Sequence, residues 1–311
     1  MAMADPIGIR HHSMQRLRRL SRRRSARSDE GAFVIDGPLL LAEALDAGVP
    51  VDEVVAAPAC PADLLARAAS AGAAVHETRA GDLARVADTM TPQPVAAIAR
   101  FPVVTATEAA AAAGPLALVL VGVADPGNAG TLLRSAEAAG AGAVLFCDDA
   151  VDPYSPKCVR SSAGSVFRLT IAREGDAGAA LDALGAAGLH TVATLARDGR
   201  PYDEVDLGRP VAVVLGSEAH GLAERLVHRV DTAVTIPMAG GAESLNVAMA
   251  GTILCFDAAR RRRADDAGEA SAPPAATPHA GQPATPPDPP PGALGNQLDD
   301  TPPRAAGCTT R

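Results

Sequence analysis

The sequence predicts an α/β protein in two parts: a small α/β module, then a larger domain built on a parallel sheet, with a disordered tail behind it. Three observations predict this. Short apolar strands alternate with helix-period segments from Ala32 to Arg263. The runs LALVLVGV (116–123) and VAVVL (211–215) are unbroken apolar stretches, as expected of strands covered on both faces. From Ala264 the chain holds 11 prolines, no aromatic residue and few aliphatic ones, so it cannot offset its ordering entropy.

Taken in order, residues 1–30 form a basic arm with eight arginines against three acids. Arg16, Arg19, Arg23 and Arg27 recur at helical spacing, while Leu17 and Leu20 offer only a thin apolar stripe. The arm is either a solvated, partly disordered segment or a phosphate-contacting helix. Residues 31–103 alternate strand and helix: AFVID, LLLAEALDAG, VDEVVAAP, ADLLARAASAG, AAVHETR, a short helix at DLARVADT, and PVAAIARFP. They contain no cluster of acid, base and nucleophile, so this module binds or positions. Residues 104–115 are alanine-rich, end in Gly-Pro and mark a linker or linking helix. The main domain covers 116–263, and 264–311 is the tail.

Bulk composition removes several function classes. The net charge of −8 argues against a generic nucleic-acid binder, and 2% aromatic content leaves little for stacking on bases. The five cysteines form no close pair and no CxxC, which points to reduced cytoplasmic thiols and no metal. The N-terminus lacks an apolar segment of the secretory kind, and no run is long enough to span a membrane.

Three loops follow apolar strands, where open α/β sheets place ligands. The first, DPGNAG (125–130), carries Asn128 and leads to Arg134. Its glycines do not fit GxGxxG, so a dinucleotide site is poorly supported. The second, GSEAHG (216–221), holds Glu218. The third, IPMAGGAESLN (236–246), is glycine-rich and opens a long apolar helix with Ser244 and Asn246 at its entrance. Each alone is satisfied by ordinary N-capping; their joint occurrence is not.

Together with DPYSPKCVRSSAGSVFR (152–168), the blocks DPGNAGTLLRSAEAAGAGAVLF, VAVVLGSEAHGL and IPMAGGAESLNVAMAGTIL resemble the SpoU/TrmH family of RNA ribose 2′-O-methyltransferases, in the SPOUT superfamily. The likeness covers roughly Leu116 to Arg263. The region from about Arg10 to Phe101 resembles the family's RNA-binding module of ribosomal-protein type. It departs at Pro94, where glycine is expected, and at Asp36, where glutamate is usual.

The resemblance implies a trefoil-knotted catalytic domain, a homodimer, and S-adenosylmethionine as methyl donor without a metal. By position, Leu195, Gly216, Ile236, Met238, Ser244 and Leu245 would line the cofactor pocket. Asn128, Arg134, Glu218, Ser244 and Asn246 would form the reaction centre, with Asn128 and Glu218 orienting Arg134. Arg16, Arg19, Arg23, Arg134, Lys157 and Arg160 would contact RNA, with rRNA favoured over tRNA. Two other classes remain: an RNA-binding or ribosome-assembly protein with a vestigial site, and a dinucleotide-dependent oxidoreductase.

Overall fold

A computed structural model describes residues 5–86 and 93–271, with side chains to Asp265. The expected tail lies outside the described residues from Ala272 onward, as does Ala87–Pro92, which includes the end of the expected short helix at DLARVADT. What is described there is a single 3₁₀ turn, Leu83–Arg85.

The N-terminal module begins with two helices, α1 (His12–Arg22) and α2 (Arg24–Glu30). Then come β1 (Ala32–Asp36), α3 (Pro38–Asp46), β2 (Val51–Ala56), α4 (Ala62–Ser70), β3 (Ala74–Glu77) and β4 (Val95–Arg100). The sheet order is β1-β4-β2-β3, with β4 antiparallel to both neighbours and β2 parallel to β3. Residues 12–30 are therefore no free arm. Met14, Leu17 and Leu20 recur at three-residue steps and are buried on the sheet against Val34, Val55 and Ile98. Met14 widens the stripe that the two leucines alone leave thin.

The alanine-rich 104–115 stretch holds α5 (Ala106–Ala112), started by a Thr105–Glu108 capping box. It packs on the following sheet through Ala109, Ala110 and Ala113 and is part of the core rather than a free tether. The second domain continues with β5 (Leu116–Val121), α6 (Pro126–Ala138), β6 (Ala143–Cys147), α7 (Pro156–Ser162), β7 (Thr170–Glu174) and α8 (Ala177–Ala186). Next are β8 (His190–Leu195), β9 (Arg200–Pro201), β10 (Val211–Leu215), α9 (Glu224–Val227), β11 (Thr232–Thr235) and α10 (Val247–Ser271). The sheet runs β7-β6-β5-β10-β8-β11-β9 and every pair is parallel. Alternate positions of each strand face α5 and α8 on one side and α6 and α10 on the other. The last helix starts at Val247, later than the Glu-Ser-Leu-Asn entrance expected, and continues past Arg263 to Ser271.

The two domains share one core. Arg27 Nε donates to Asp152 Oδ2 at 2.6 Å, with the two side chains 5% and 3% exposed. Arg27 also donates to the Leu20 carbonyl, and the other Asp152 oxygen accepts from the Tyr154 amide. Tyr154 stacks on Phe101 with centroids 4.2 Å apart and meets Phe33 at 5.1 Å. Four of the seven Phe and Tyr residues, Phe33, Phe101, Tyr154 and Phe167, gather at this joint. Arg160 reaches Asp36 across it at 3.4 Å. Burial pushes the Asp36 carboxyl up, against the pull of that guanidinium.

Removing one member of a buried ion pair strands the other's charge. Arg27→Ala should lower unfolding stability by about 3–5 kcal/mol, while Arg27→Met combined with Asp152→Leu should recover most of the loss. Urea unfolding of the three proteins checks this; a single variant within about 1 kcal/mol of the parent would contradict a buried pair at the joint.

Candidate functional site

At the C-terminal edge of the sheet, a cavity of about 750 Å³ opens between three segments: 194–198 after β8, 215–222 after β10, and 236–250 around the start of α10. All six positions expected at a cofactor pocket line it: Leu195, Gly216, Ile236, Met238, Ser244 and Leu245. Glu218 and Asn246 line it too. The first wall differs from expectation. It is the β8 loop, whereas the 125–130 loop stands behind the pocket and is tied to it by hydrogen bonds.

Those bonds form a chain across three loops. Asn246 Oδ1 caps α10, accepting from the amides of Ala248 and Met249 at 2.9 and 3.3 Å. With its oxygen so used, Asn246 turns its amide nitrogen to Asn128 Oδ1, 3.1 Å away. Asn128 Nδ2 then donates to Glu218 Oε1 at 2.9 Å. Glu218 also accepts from the backbone amides of Ala124 and Asp125. Burial pushes the Glu218 carboxyl up, but these hydrogen bonds outweigh it and hold the group below the usual carboxylate range.

The local backbone explains the residue types. Asp125 caps α6 by accepting from the Asn128 amide at 2.9 Å, and Pro126 takes the first helical position. The 217–221 loop closes on itself through paired Ser217 and Gly221 backbone bonds. A side chain at Gly216 would meet the Gly221 carbonyl carbon at 2.3 Å, so that turn admits only glycine.

Arg134 is not in this chain of bonds. It is exposed and has no ion pair or hydrogen bond among the described residues. It follows Asn128 by six residues, about 120° round the helix and about 9 Å along it. Asn128 and Glu218, expected to orient Arg134, bond each other, and Asn128 also bonds Asn246; neither bonds Arg134 within one chain. Ser244 is exposed at the pocket wall.

The expected RNA-contacting set divides. Arg16 is held by Glu30, Asp52 and Glu53, at 2.8, 3.1 and 2.7 Å, and Arg19 pairs with Glu30. Arg160 pairs with Asp36; Lys157 pairs with Asp125 at 3.2 Å but stays 62% exposed. Arg23 is exposed without an ion pair among the described residues. Sequence reasoning missed Thr194, Arg197 and Asp198 in the cavity wall. The available signal for Thr194 was its hydroxyl among the apolar residues that end HTVATLA.

The cavity fits an adenosyl ligand of moderate size. Leu195, Leu215, Ile236, Val247 and Ala250 supply apolar surface, and Glu218 and Asp198 supply negative charge that suits a sulfonium. Among the described residues no group of His, Cys, Asp or Glu could hold a metal ion, and no helix is long and apolar enough to cross a membrane.

Comparison with known proteins places these features. Residues 115–256 match the SpoU rRNA Methylase family, and residues 12–97 match the MRM3-like substrate binding domain. The chain is 32% identical to the 23S rRNA (guanosine(2553)-2′-O)-methyltransferase RlmP of Bacillus subtilis, over 74% of this chain and 89% of that one. An AdoMet-bound rRNA methyltransferase from Sinorhizobium meliloti superposes with a TM-score of 0.75 at 30% identity, covering 82% of this chain and 97% of its own. The SpoU methyltransferase AviRb of Streptomyces viridochromogenes, in complex with AdoMet, gives 0.74 at 27% identity, covering 82% and 100%.

The depressed Glu218 carboxyl has a pH signature. A group whose folded pKa lies below its unfolded value stabilises fully above the unfolded value and loses that effect as pH falls through the folded one. The melting-temperature gap between the parent and Glu218→Gln should stay constant from about pH 8 to about pH 6, then close below about pH 4. A gap that closes near neutrality would mean a raised carboxyl instead.

Proposed function

The chain belongs to the SpoU rRNA methylase family, and from that membership we propose that it methylates a ribose 2′-hydroxyl in structured RNA, most specifically 23S rRNA, with S-adenosylmethionine as donor. The observation that carries this proposal is the Asn246–Asn128–Glu218 chain of bonds at the wall of a cavity lined by all six expected cofactor positions. Characterised relatives support the rRNA substrate.

The donor supplies a methyl group already activated on a sulfonium, so the protein's part is alignment and proton management. Leu195, Ile236, Met238 and Leu245 would hold the adenosyl portion by apolar contact, with the Gly216 backbone close against it. Glu218 stays ionised and fully hydrogen-bonded, so it orients Asn128 and favours the cationic donor rather than accepting a proton. Asn128 and Asn246 keep their amides fixed, and Ser244 offers a free hydroxyl to the cofactor or the sugar. Arg134 would clamp the phosphate beside the target ribose; its guanidinium remains protonated, and the hydroxyl proton leaves to water.

A homodimer completes the proposal. Met249 and Phe256 on α10, and Leu245 just before it, are 50%, 44% and 38% exposed. Thr252 on the same face of α10 bonds Ser135 of α6, the neighbour of Arg134. A two-fold copy against this apolar face would cover it and bring Arg134 of the partner subunit to a cavity whose wall includes Leu245. The family's knotted threading is part of the proposal and is supported by β10 lying between β5 and β8 in the sheet. For RNA, the exposed arginines Arg18 and Arg22 of α1, with Arg23 between α1 and α2, replace Arg16 and Arg19, whose charge is already neutralised. A cytoplasmic site of action follows from the substrate.

Arg134→Ala should reduce transfer of tritiated methyl groups to rRNA by at least about a hundredfold while leaving S-adenosylmethionine affinity unchanged by calorimetry. Lost affinity would instead make Arg134 a cofactor ligand. Met249→Glu should give a monomer in sedimentation and abolish transfer; a fully active monomer would refute the shared site. Failure of the parent to methylate rRNA, with tRNA labelled instead, would change the substrate.

A further inference from the structure

Among the polar side chains that line the cavity, the hydroxyl of Thr194 is buried and unpaired. Thr194 lies near the end of β8, and its Oγ1 is buried with no hydrogen-bond partner among the described residues. Strand register fixes which way it faces. Thr194 pairs with Val234 of β11, and the preceding pair, Ala193 with Val214, sets it beside Leu215 of β10. Val192, two residues earlier and so on the same face, is buried with Val213, Leu215 and Val234. That face is the one covered by α10, whose Val247 and Ala250 also line the cavity. The hydroxyl thus sits at the floor of the pocket in a layer of otherwise aliphatic side chains.

A valine would fill this position at nearly the same volume and would leave no buried hydroxyl unpaired. A buried polar group without a partner destabilises a fold, so its presence at a cavity calls for an explanation beyond the fold itself. We infer that Thr194 Oγ1 hydrogen-bonds the adenosyl moiety of the bound cofactor and selects for it, a role that rests on the cofactor assignment above. The surroundings choose that end of the ligand. Leu195, Leu215, Ile236, Val247 and Ala250 are the apolar part of the wall, which suits a purine. The charged groups Arg197, Asp198 and Glu218 belong to the loops, where a zwitterionic amino-acid end would be satisfied.

The test is calorimetric titration of the full chain with S-adenosylhomocysteine and with adenosine, for the parent, Thr194→Val and Thr194→Ser, beside melting curves without ligand. Thr194→Val should weaken both ligands by the same factor, about five- to tenfold, as loss of one hydrogen bond does. Thr194→Ser should stay near the parent. Without ligand, Thr194→Val should melt at or above the parent temperature, because an unpaired buried hydroxyl has been removed. Unchanged affinity in Thr194→Val overturns the inference. A drop confined to S-adenosylhomocysteine overturns the adenosyl assignment. A lower melting temperature without ligand overturns it as well, since the hydroxyl would then have a partner inside the protein. Parent protein that binds neither ligand refutes the cofactor assignment itself, a result distinguishable from the other three.

Discussion

The site depends on Asn246 being turned one way. Because its oxygen caps α10, its nitrogen must face Asn128, which in turn must face Glu218. Three loops that are far apart in the chain are thereby held in one arrangement around the cavity. Amide side chains suit the task because each carries a donor and an acceptor in a fixed plane. Aspartate at either position could not pass the bond on. The carboxylate at the end of the chain is ionised for the same reason: it is surrounded by donors and has no partner that favours its neutral form.

A second constraint governs the relation between the two domains. Each could have been tethered by a flexible segment, yet they share a core closed by the Arg27–Asp152 pair and an aromatic cluster. In a chain with so few aromatic residues, concentrating them here is informative. Their large surfaces are spent on the joint, so the substrate module and the cavity are held as one unit. An RNA bound on the first module would meet the catalytic edge at a defined separation.

Electrostatics changes the meaning of the basic N-terminus. Arginine count alone suggests a continuous phosphate-binding face. In the folded protein several of those guanidinium groups are structural: Arg16 and Arg19 are satisfied by acids of the same module and Arg27 by an acid of the other domain. The exposed remainder is Arg10, Arg18, Arg22, Arg23 and Arg24, of which Arg24 donates to the Ala150 carbonyl. That helps reconcile a net charge of −8 with a protein whose partner is RNA.

Much of this protein is legible in the sequence alone. Strand and helix periodicity depends on near neighbours, so the α/β alternation and the two apolar central strands could be read directly, and the family resemblance named six positions from Leu195 to Leu245 that line one cavity. Capping chemistry is equally local: of the two residues expected at the entrance of the last helix, Asn246 is the one that caps it. What only the tertiary structure decided is the partner of each polar group. Asn128 and Asn246 are 118 residues apart, and Arg27 and Asp152 are 125 apart. No local pattern says which arginine will be neutralised, that Arg134 will stand clear of its supposed orienters, or that Thr194 will be left facing a cavity. Those outcomes follow from which faces pack together, and packing is a property of the whole chain.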